Sequence, residues 1–370
     1  MTKFVLSTIA WLEAIAKKEI EKQGWKIEDV VDRVVTFSWD LDLMAKVNLW
    51  SRVWNKLYLL LAEKDYIDNF DDLYDLMSEI SWKKYFKKSY PIIVKATSIR
   101  SELHSTPTLQ KIWKKCIINS LTDWTWERVV ENENLEKMEI LVLFIDNKVR
   151  ILLNTSWPSL HMRGYRTEAW EAPIKENIAA ALIMLSNWRF RDNFYDPFCG
   201  SWTIPIEAVM MARNMAPWVM RKFAFQRWDI LPSEILDNEK KLARKREFSW
   251  DYKIFASDID FEVLEIAKEN AKRAWVEDNI TFEVKDFRDL VNWEELSWTF
   301  VSNPPYWLRL EDDDLRWLYN NVDKIFRKNP NLKWWIISSF HEFDWLIKKD
   351  TYKKRKLYNW AEKCYFWKRK

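Results

Sequence analysis

Only three glycines serve a chain of 370 residues, and 26 tryptophans accompany them. Glycine averages about 7% of a globular sequence, so roughly two dozen are missing, and the tryptophan excess is of about that size. Glycine reaches φ > 0 at low cost, ends helices and lets a backbone approach a ligand closely. A fold built without it needs another residue at its tight turns. The tryptophans stand where turns and helix ends are read: "NPPYW" (303–307), "ENAKRAWVEDNI" (269–280), "NMAPWV" (214–219), "TEAWEAP" (167–173) and "LNTSWPSL" (153–160). Trp275 follows a helical run ending Lys-Arg-Ala, the place past a helix C-terminus where glycine is favoured. We read most of these letters as glycine. A genetic code that reads UGA as glycine, translated with a table that makes UGA tryptophan, gives this pattern. Trp82, Trp188 and Trp228 lie among bulky or charged neighbours and are read as true tryptophans.

The length predicts two or three domains, and an apolar fraction of 48% can fill their cores. No apolar run reaches the ~18 residues of a membrane span. The first 22 residues carry too many charges after too short an apolar stretch for a signal peptide. Cys116, Cys199 and Cys364 are far apart and give neither a disulfide framework nor a metal-ligand spacing. A cytoplasmic protein with no metal and no membrane partner is expected. His104, His161 and His341 are isolated and read as surface or core residues.

The net charge of +3 is unevenly spread. Residues 83–115 hold nine Lys/Arg against Glu102 alone, and residues 346–370 hold ten against Asp350 and Glu362. Two basic patches on an otherwise acidic chain point to a polyanion such as nucleic acid.

The first ~55 residues read strand, amphipathic helix, strand, a small α+β unit. Residues 56–155 add strands at "KLYLLLAEK" and "PIIVKATS", helices at "DDLYDLMSEI" and "TLQKIWKKCIINSLT", and a hairpin of "EILVLFID" with "KVRILLNT". From about 172 strands alternate with helices of ten or more residues, which predicts a doubly wound, mostly parallel sheet closed by a terminal hairpin. Ligands bind such sheets outside the carboxyl ends of the strands.

Four motifs fall at those ends. "DPFCGSWT" turns from a strand into a helix whose N-terminal amides face a ligand. Asp258 in "ASDID" ends the next strand and can accept from both ribose hydroxyls of an adenosine; Asp260 reads as a helix N-cap. Asp286 in "VKDFRDL" can accept from an adenine amino group. In "VSNPPYW" the prolines stiffen the backbone. The Asn303 side chain and the Pro304 carbonyl can then hold one NH₂ group, while Tyr306 stacks on its base. An amine so held attacks a sulfonium methyl in line, and positioning supplies much of the rate. Cys199 reads as a packing residue, with no base near it in sequence.

These stretches, with "LNTSWPSLHMRGYRTEAWEAPIKENIAAALI" (152–183) and "FQRW" (225–228), resemble the S-adenosylmethionine-dependent RNA methyltransferases that carry a THUMP domain. Within them the sequence is most similar to the bacterial enzymes that methylate guanine N2 in 23S ribosomal RNA. The resemblance implies an α/β fold: a Rossmann-like class I methyltransferase sheet (156–370), preceded by an α+β ferredoxin-like domain (1–55) and a THUMP domain (56–155). It implies S-adenosylmethionine held by Asp196, Phe198, Gly200 and Ser201, by Asp258 with Ile259, and by Asp286 with Phe287. Asn303, Pro304, Pro305 and Tyr306 would hold the target base. RNA, rRNA or tRNA, would meet Arg100, Lys111, Lys114, Lys115, Arg163 and Arg166; the last two could instead meet the cofactor carboxylate, and structural ion pairs are an equal alternative for them. A tRNA guanine-N2 enzyme, an adenine-N6 enzyme and a catalytically inactive RNA-binding assembly factor remain open. Where the family has glycine, this chain has Trp11, Trp157, Trp170, Trp202, Trp218, Trp275 and Trp307. A literal indole at Trp202 is expected to intrude on the cofactor and to need an unfavourable backbone.

Overall fold

The computed structural model describes residues 1–31, 33–85, 90–103, 106–122, 131–135, 137–157, 159–166, 174–200, 202–228, 230–292, 298–305, 312–340, 342–346, 352–359 and 362–369. Among them, no helix is long and apolar enough to cross a membrane. The chain forms two compact units.

The first unit holds β1 (Thr2–Thr8), α1 (Glu13–Lys22, shared at its start with the second unit), β2 (Lys26–Val31), β3 (Val34–Trp39), α2 (Leu43–Trp50) and β4 (Trp54–Lys64). It continues through α3 (Phe70–Ser78), β5 (Ile92–Ile99), α4 (Thr106–Leu121), β6 (Met138–Ile145) and β7 (Lys148–Asn154). Its strands form one seven-stranded sheet in the order β2-β3-β1-β4-β7-β6-β5. β4 pairs with β1 on one side and β7 on the other, so the expected boundary at 55/56 falls inside a shared sheet. Among the described residues only β5 runs parallel to its neighbour, and it lies at the edge. The β6–β7 turn puts Asp146 and Asn147 at φ 51 and 62. This is the two-residue geometry whose twist suits a hairpin, and Asp and Asn tolerate it. Residues 220–241 also cluster with this unit.

The second unit contains α5 (Glu176–Ser186), β8 (Phe194–Asp196), α6 (Thr203–Ala212), the last four residues of α7 (Ile235–Lys245), β9 (Ile254–Asp258), α8 (Phe261–Arg273) and β10 (Ile280–Val284). Then follow β11 (Thr299–Ser302), α9 (Asp312–Lys328), β12 (Lys333–Ser338), α10 (Phe343–Leu346), β13 (Tyr352–Asn359) and β14 (Glu362–Arg369). The strand order is β10-β9-β8-β11-β12-β14-β13. The first five are parallel and β14 is antiparallel to both its neighbours. This is the expected α/β class I methyltransferase sheet. β11 is buried throughout, as befits a strand covered on both faces. One face packs Tyr195, Phe300, Ile336 and Trp334 against Leu315, Tyr319, Val322 and Phe326 of α9. Each such side chain contributes about 1.5–3 kcal/mol on full burial. Asp260 caps α8, accepting from the amides of Glu262 (2.8 Å) and Val263 (3.3 Å).

The periodic elements form as expected. β2, α2, α7 and α10 were not expected. "KIEDVV" has little strand pattern of its own and pairs because β3 offers an edge. α10 is four residues long, too short to show a helical period.

Candidate active site

β8 and β11 are neighbours in the sheet, but the strands that follow them lie on opposite sides. The crevice outside their carboxyl ends is therefore the switch point of the sheet. β8 ends at Asp196 and turns through Cys199 and Gly200 into α6. The turn is tied down by Cys199 N–H to Ser257 O (3.0 Å) and Trp202 N–H to Cys199 O (2.8 Å). Gly200 has φ 48, and a β-carbon built on it would meet open space.

Asp258, at the end of β9, clamps this turn. Its Oδ2 accepts from Gly200 N–H at 2.9 Å and its Oδ1 from Asp260 N–H at 3.2 Å. Burial raises its pKa, against those amide donors. Phe198, Gly200, Asp258 and Ile259 line one side of a cavity of about 690 Å³. Asp286 and Phe287 line another, with the Phe198 and Phe287 rings 4.6 Å apart. Asn303 and Pro305 close its end. The cavity thus brings together eight of the residues singled out in the sequence.

Asn303 leaves the end of β11. Its Oδ1 is buried and has no hydrogen-bond partner among the described residues. Such an orphan costs about 1–3 kcal/mol until a donor arrives. Pro304 is buried beside it. The carbonyl of Pro305 accepts from Tyr319 Oη at 3.4 Å, and that hydroxyl also meets Ser338 Oγ at 2.7 Å. Tyr319 thereby braces the Asn-Pro-Pro segment from α9.

Other expected residues sit differently. Asp196 is 1% exposed and is absent from the cavity wall. The expectation that it lines the cavity is corrected: its carboxylate turns to Ser302 Oγ and to the Phe198 amide (3.2 Å). Burial pushes its pKa up to about 7, opposed by those two donors and helped by the Asp258 carboxylate. It therefore ties the end of β8 to the end of β11, just before Asn303. Asp286 is already engaged, accepting from the Arg288 amide at 2.8 Å and Nε at 2.5 Å. The Arg288 guanidinium holds that carboxyl below its usual range. Cys199 is buried, and burial pushes its thiol well up, which suits a packing role.

Arg163 is also a correction. Its side chain is 1% exposed and forms an ion pair with Glu207 at 2.5 Å, too deep to meet a polyanion. Arg166 turns inward too, toward Glu176 (3.3 Å), the Ile174 carbonyl and Thr203 Oγ1. The ion-pair alternative is what the fold builds for both. In the first unit, Lys111, Lys114 and Lys115 share one face of α4 and border a groove with Ile92 and Val94 of β5. Lys114 pairs with Glu131 at 2.9 Å. Arg100 pairs with Asp146 at 2.7 Å on the surface. Ser201, Tyr306, Trp170 and Trp307 lie outside the described residues.

Trp202 has φ 70, the strained backbone expected of a bulky residue there. Its indole does not enter the cavity, which corrects the expected intrusion: it is fully buried against Phe282, ring centroids 3.9 Å apart.

The sequence reading missed Lys285, Arg288 and Trp317 in the cavity wall, and Ser302 and Tyr319 behind it. Arg288 carried a signal, two residues after Asp286 in "KDFRDL". Tyr319 carried none, because its role depends on how α9 crosses β11 and β12.

Residues 163–367 match the family described as "RMKL-like, methyltransferase domain". Residues 68–151 match a THUMP domain and 3–58 an RlmL ferredoxin-like domain. The "Putative RNA methyltransferase YpsC" of Bacillus subtilis (strain 168) is 33% identical over 372 residues, 97% of this chain and 94% of that protein. A possible methylase from Clostridium difficile 630 has a crystal structure with TM-score 0.90 and 35% identity, covering 100% of this chain and 97% of its own. The crystal structure of SMU.472, "a putative methyltransferase complexed with SAH", gives a TM-score of 0.87 at 32% identity, covering 99% and 97%.

Proposed function

Because this chain belongs to the RMKL-like methyltransferase family, we propose that it methylates RNA with S-adenosylmethionine, at the exocyclic N2 of a guanine in 23S ribosomal RNA. The observation that carries this reading is the buried Oδ1 of Asn303, without a hydrogen-bond partner among the described residues, in the wall of the switch-point cavity. An acceptor in that state suits an incoming amine.

The residues present fit the cofactor. The open space over Gly200 admits a ligand against bare backbone. The volume suits a small-molecule site. The Asp258 carboxylate accepts two amides and keeps further lone pairs for ribose hydroxyls. Ile259 and Phe287 supply apolar walls, and Asp286 keeps acceptor capacity for an adenine amine despite its pairing with Arg288. S-adenosylmethionine, when bound, supplies an electrophilic methyl on a sulfonium. The chain's own part is positioning. Asn303 Oδ1 and the Pro304 carbonyl would take the two N–H groups of the target amine and aim its lone pair into the cavity. Tyr306 would stack on the base. Residues 1–155 would dock the RNA, with Lys111, Lys114 and Lys115 meeting phosphates.

The same two acceptors would hold an adenine N6 amine, and tRNA offers guanines as well. Mass mapping of modified nucleosides in rRNA and tRNA from a deletion strain separates these. Loss of N2-methylguanosine from 23S rRNA alone is the expected result. An unchanged nucleoside profile in both RNA classes overturns the reading.

A further inference from the structure

The C-terminal hairpin carries a second basic surface on the same sheet as the cavity. Across β13 and β14, Lys354 faces Trp367, Lys356 faces Tyr365 and Tyr358 faces Lys363. Residues two apart on a strand share a face, so these six share one, on which Trp367 is buried in the core, Tyr365 is half-buried against it and the other four are at least partly exposed. The Lys354 ammonium is 4.6 Å from the Tyr365 ring centroid, Lys356 is 5.2 Å from Tyr358, and Lys363 is 5.3 Å from Tyr365. On the opposite face Lys353 stands directly across from Lys368, a like-charge pair that costs stability unless an anion offsets it. Among the described residues, Lys354 pairs with Asp344, whereas no carboxylate lies within ion-pair distance of Lys353, Lys356, Lys363 or Lys368.

The register places this face. Ser302 pairs with Ile336, Ile336 with Trp367, and Ser338, the last residue of β12, with Tyr365. Tyr358 and Lys363 therefore project past the end of β12, along the edge where Asn303 leaves β11. At about 4.8 Å per strand, β14 and β13 stand roughly 10–15 Å from β11.

Resting on the reading of the chain as an RNA methyltransferase, we propose that this hairpin face holds single-stranded RNA next to the target nucleotide. Lys354, Lys356 and Lys363 meet phosphates, and Tyr358 and Tyr365 stack on bases. Alternating aromatic rings and cations are what binds a single strand without reading its sequence. A base presented to Asn303 must leave its stack, which costs least where the strand is already single.

The test uses the full chain with Lys354→Gln/Lys356→Gln/Lys363→Gln, and separately Tyr358→Ala/Tyr365→Ala. Binding to a fluorescein-labelled single-stranded oligoribonucleotide of mixed sequence is followed by anisotropy over a salt series. The lysine variant should bind at least about tenfold more weakly at low salt, and its log K against log [salt] slope should fall by about 2. The tyrosine variant should lose affinity with its slope unchanged. Calorimetric affinity for S-adenosylhomocysteine should match the parent in both. Parental affinity and slope in the lysine variant, in a chain that still methylates RNA, overturns the hairpin surface alone. A parent that methylates no RNA overturns the functional reading and this surface with it.

A separate observation concerns the chain itself. Three helices end in the same turn, with a left-handed residue followed by an amide that bonds five residues back. The left-handed residues are Gly24, Asn214 and Trp275, at φ 82, 54 and 58. The closing bonds are Trp25 N–H to Ile20 O, Met215 N–H to Met210 O and Val276 N–H to Ala271 O. Glycine and asparagine are what this turn selects; tryptophan is not. Trp11, Trp157 and Trp202 also have φ 65–75, as all three glycines have positive φ. Trp218 does not, and neither do Trp82, Trp188 and Trp228. The indoles of Trp82 and Trp188 donate to Met77 O and Asp192 O, whereas those of Trp157, Trp202 and Trp228 are buried without a partner among the described residues. We also infer that positions 11, 157, 202 and 275 are glycine in the protein as its host makes it. Peptide masses of the native protein should show glycine there, encoded by UGA. Tryptophan masses, or UGG codons at these positions, overturn the inference.

Discussion

The carboxyl edge of the second sheet and the β5–α4 groove of the first sheet carry their charges in opposite ways. At the edge, the Asp258 carboxylate is half-buried and held by two backbone amides, and the Asn303 amide oxygen is buried. Along the groove, Lys111 and Lys115 stand exposed on flexible stems. A buried acceptor is directional and selects one donor. A surface ammonium is nearly directionless and selects only charge. The two regions should therefore fail in different ways when altered.

The largest effect is expected at Asn303. Asn303→Ala should lower kcat by on the order of 10³-fold, as loss of an oriented polar contact to the reacting group does, and leave RNA affinity near the parent's. Single-turnover transfer of labelled methyl, with RNA binding measured in parallel, checks this. A variant that loses RNA binding instead would erase the contrast between edge and groove. Asp258→Ala should come next, weakening S-adenosylmethionine by about 10–100-fold, since a hydrogen bond to a charged group is worth about 1.5–3 kcal/mol. Calorimetry reads it directly, and unchanged affinity removes Asp258 from the cofactor site.

The groove should respond more gently. Lys111→Gln/Lys114→Gln/Lys115→Gln should weaken RNA binding about tenfold, flatten its salt slope by about 2, and leave kcat alone. An unaltered slope takes these lysines out of the interface.

The smallest effect sharpens the comparison from the stability side. Asp196 has a folded pKa pushed up to about 7 from an ordinary 3.8. Between those values the folded chain binds the proton and the unfolded chain releases it. Its contribution is therefore fully present below about pH 4 and is lost as pH rises through about 7. The loss is about 4 kcal/mol at most. Thermal melts at pH 5 and pH 8 should show the parent losing more stability than Asp196→Asn. Equal losses mean the carboxyl is not buried as described.

Much of this was legible in the residues. The alternation of strands with long helices gave the second sheet, because periods of 2 and 3.6 residues are local. The motifs at strand ends gave Asp258, Asp286 and Asn303 because a parallel sheet exposes only that edge to ligand. Arg163 and Asp196 turn away from the expected ligands for a common reason. A charged residue in a motif looks available until its burial is known, and burial depends on residues far along the chain, such as Glu207 and Ser302. Trp202 taught a similar lesson: its backbone strain was readable from its position in a turn, but the direction of its indole was not.

By itself, then, the sequence determined the elements, their alternation and the short polar motifs at their ends, since these depend on neighbours within a turn or two. Tertiary structure alone decided which carboxylates face the cavity and which face one another. It also left Asn303 Oδ1 without a donor among the described residues and set the hairpin two and three strands away from β11. Those outcomes depend on strand order, which joins residues more than 100 positions apart, as Asp196 and Ser302 show.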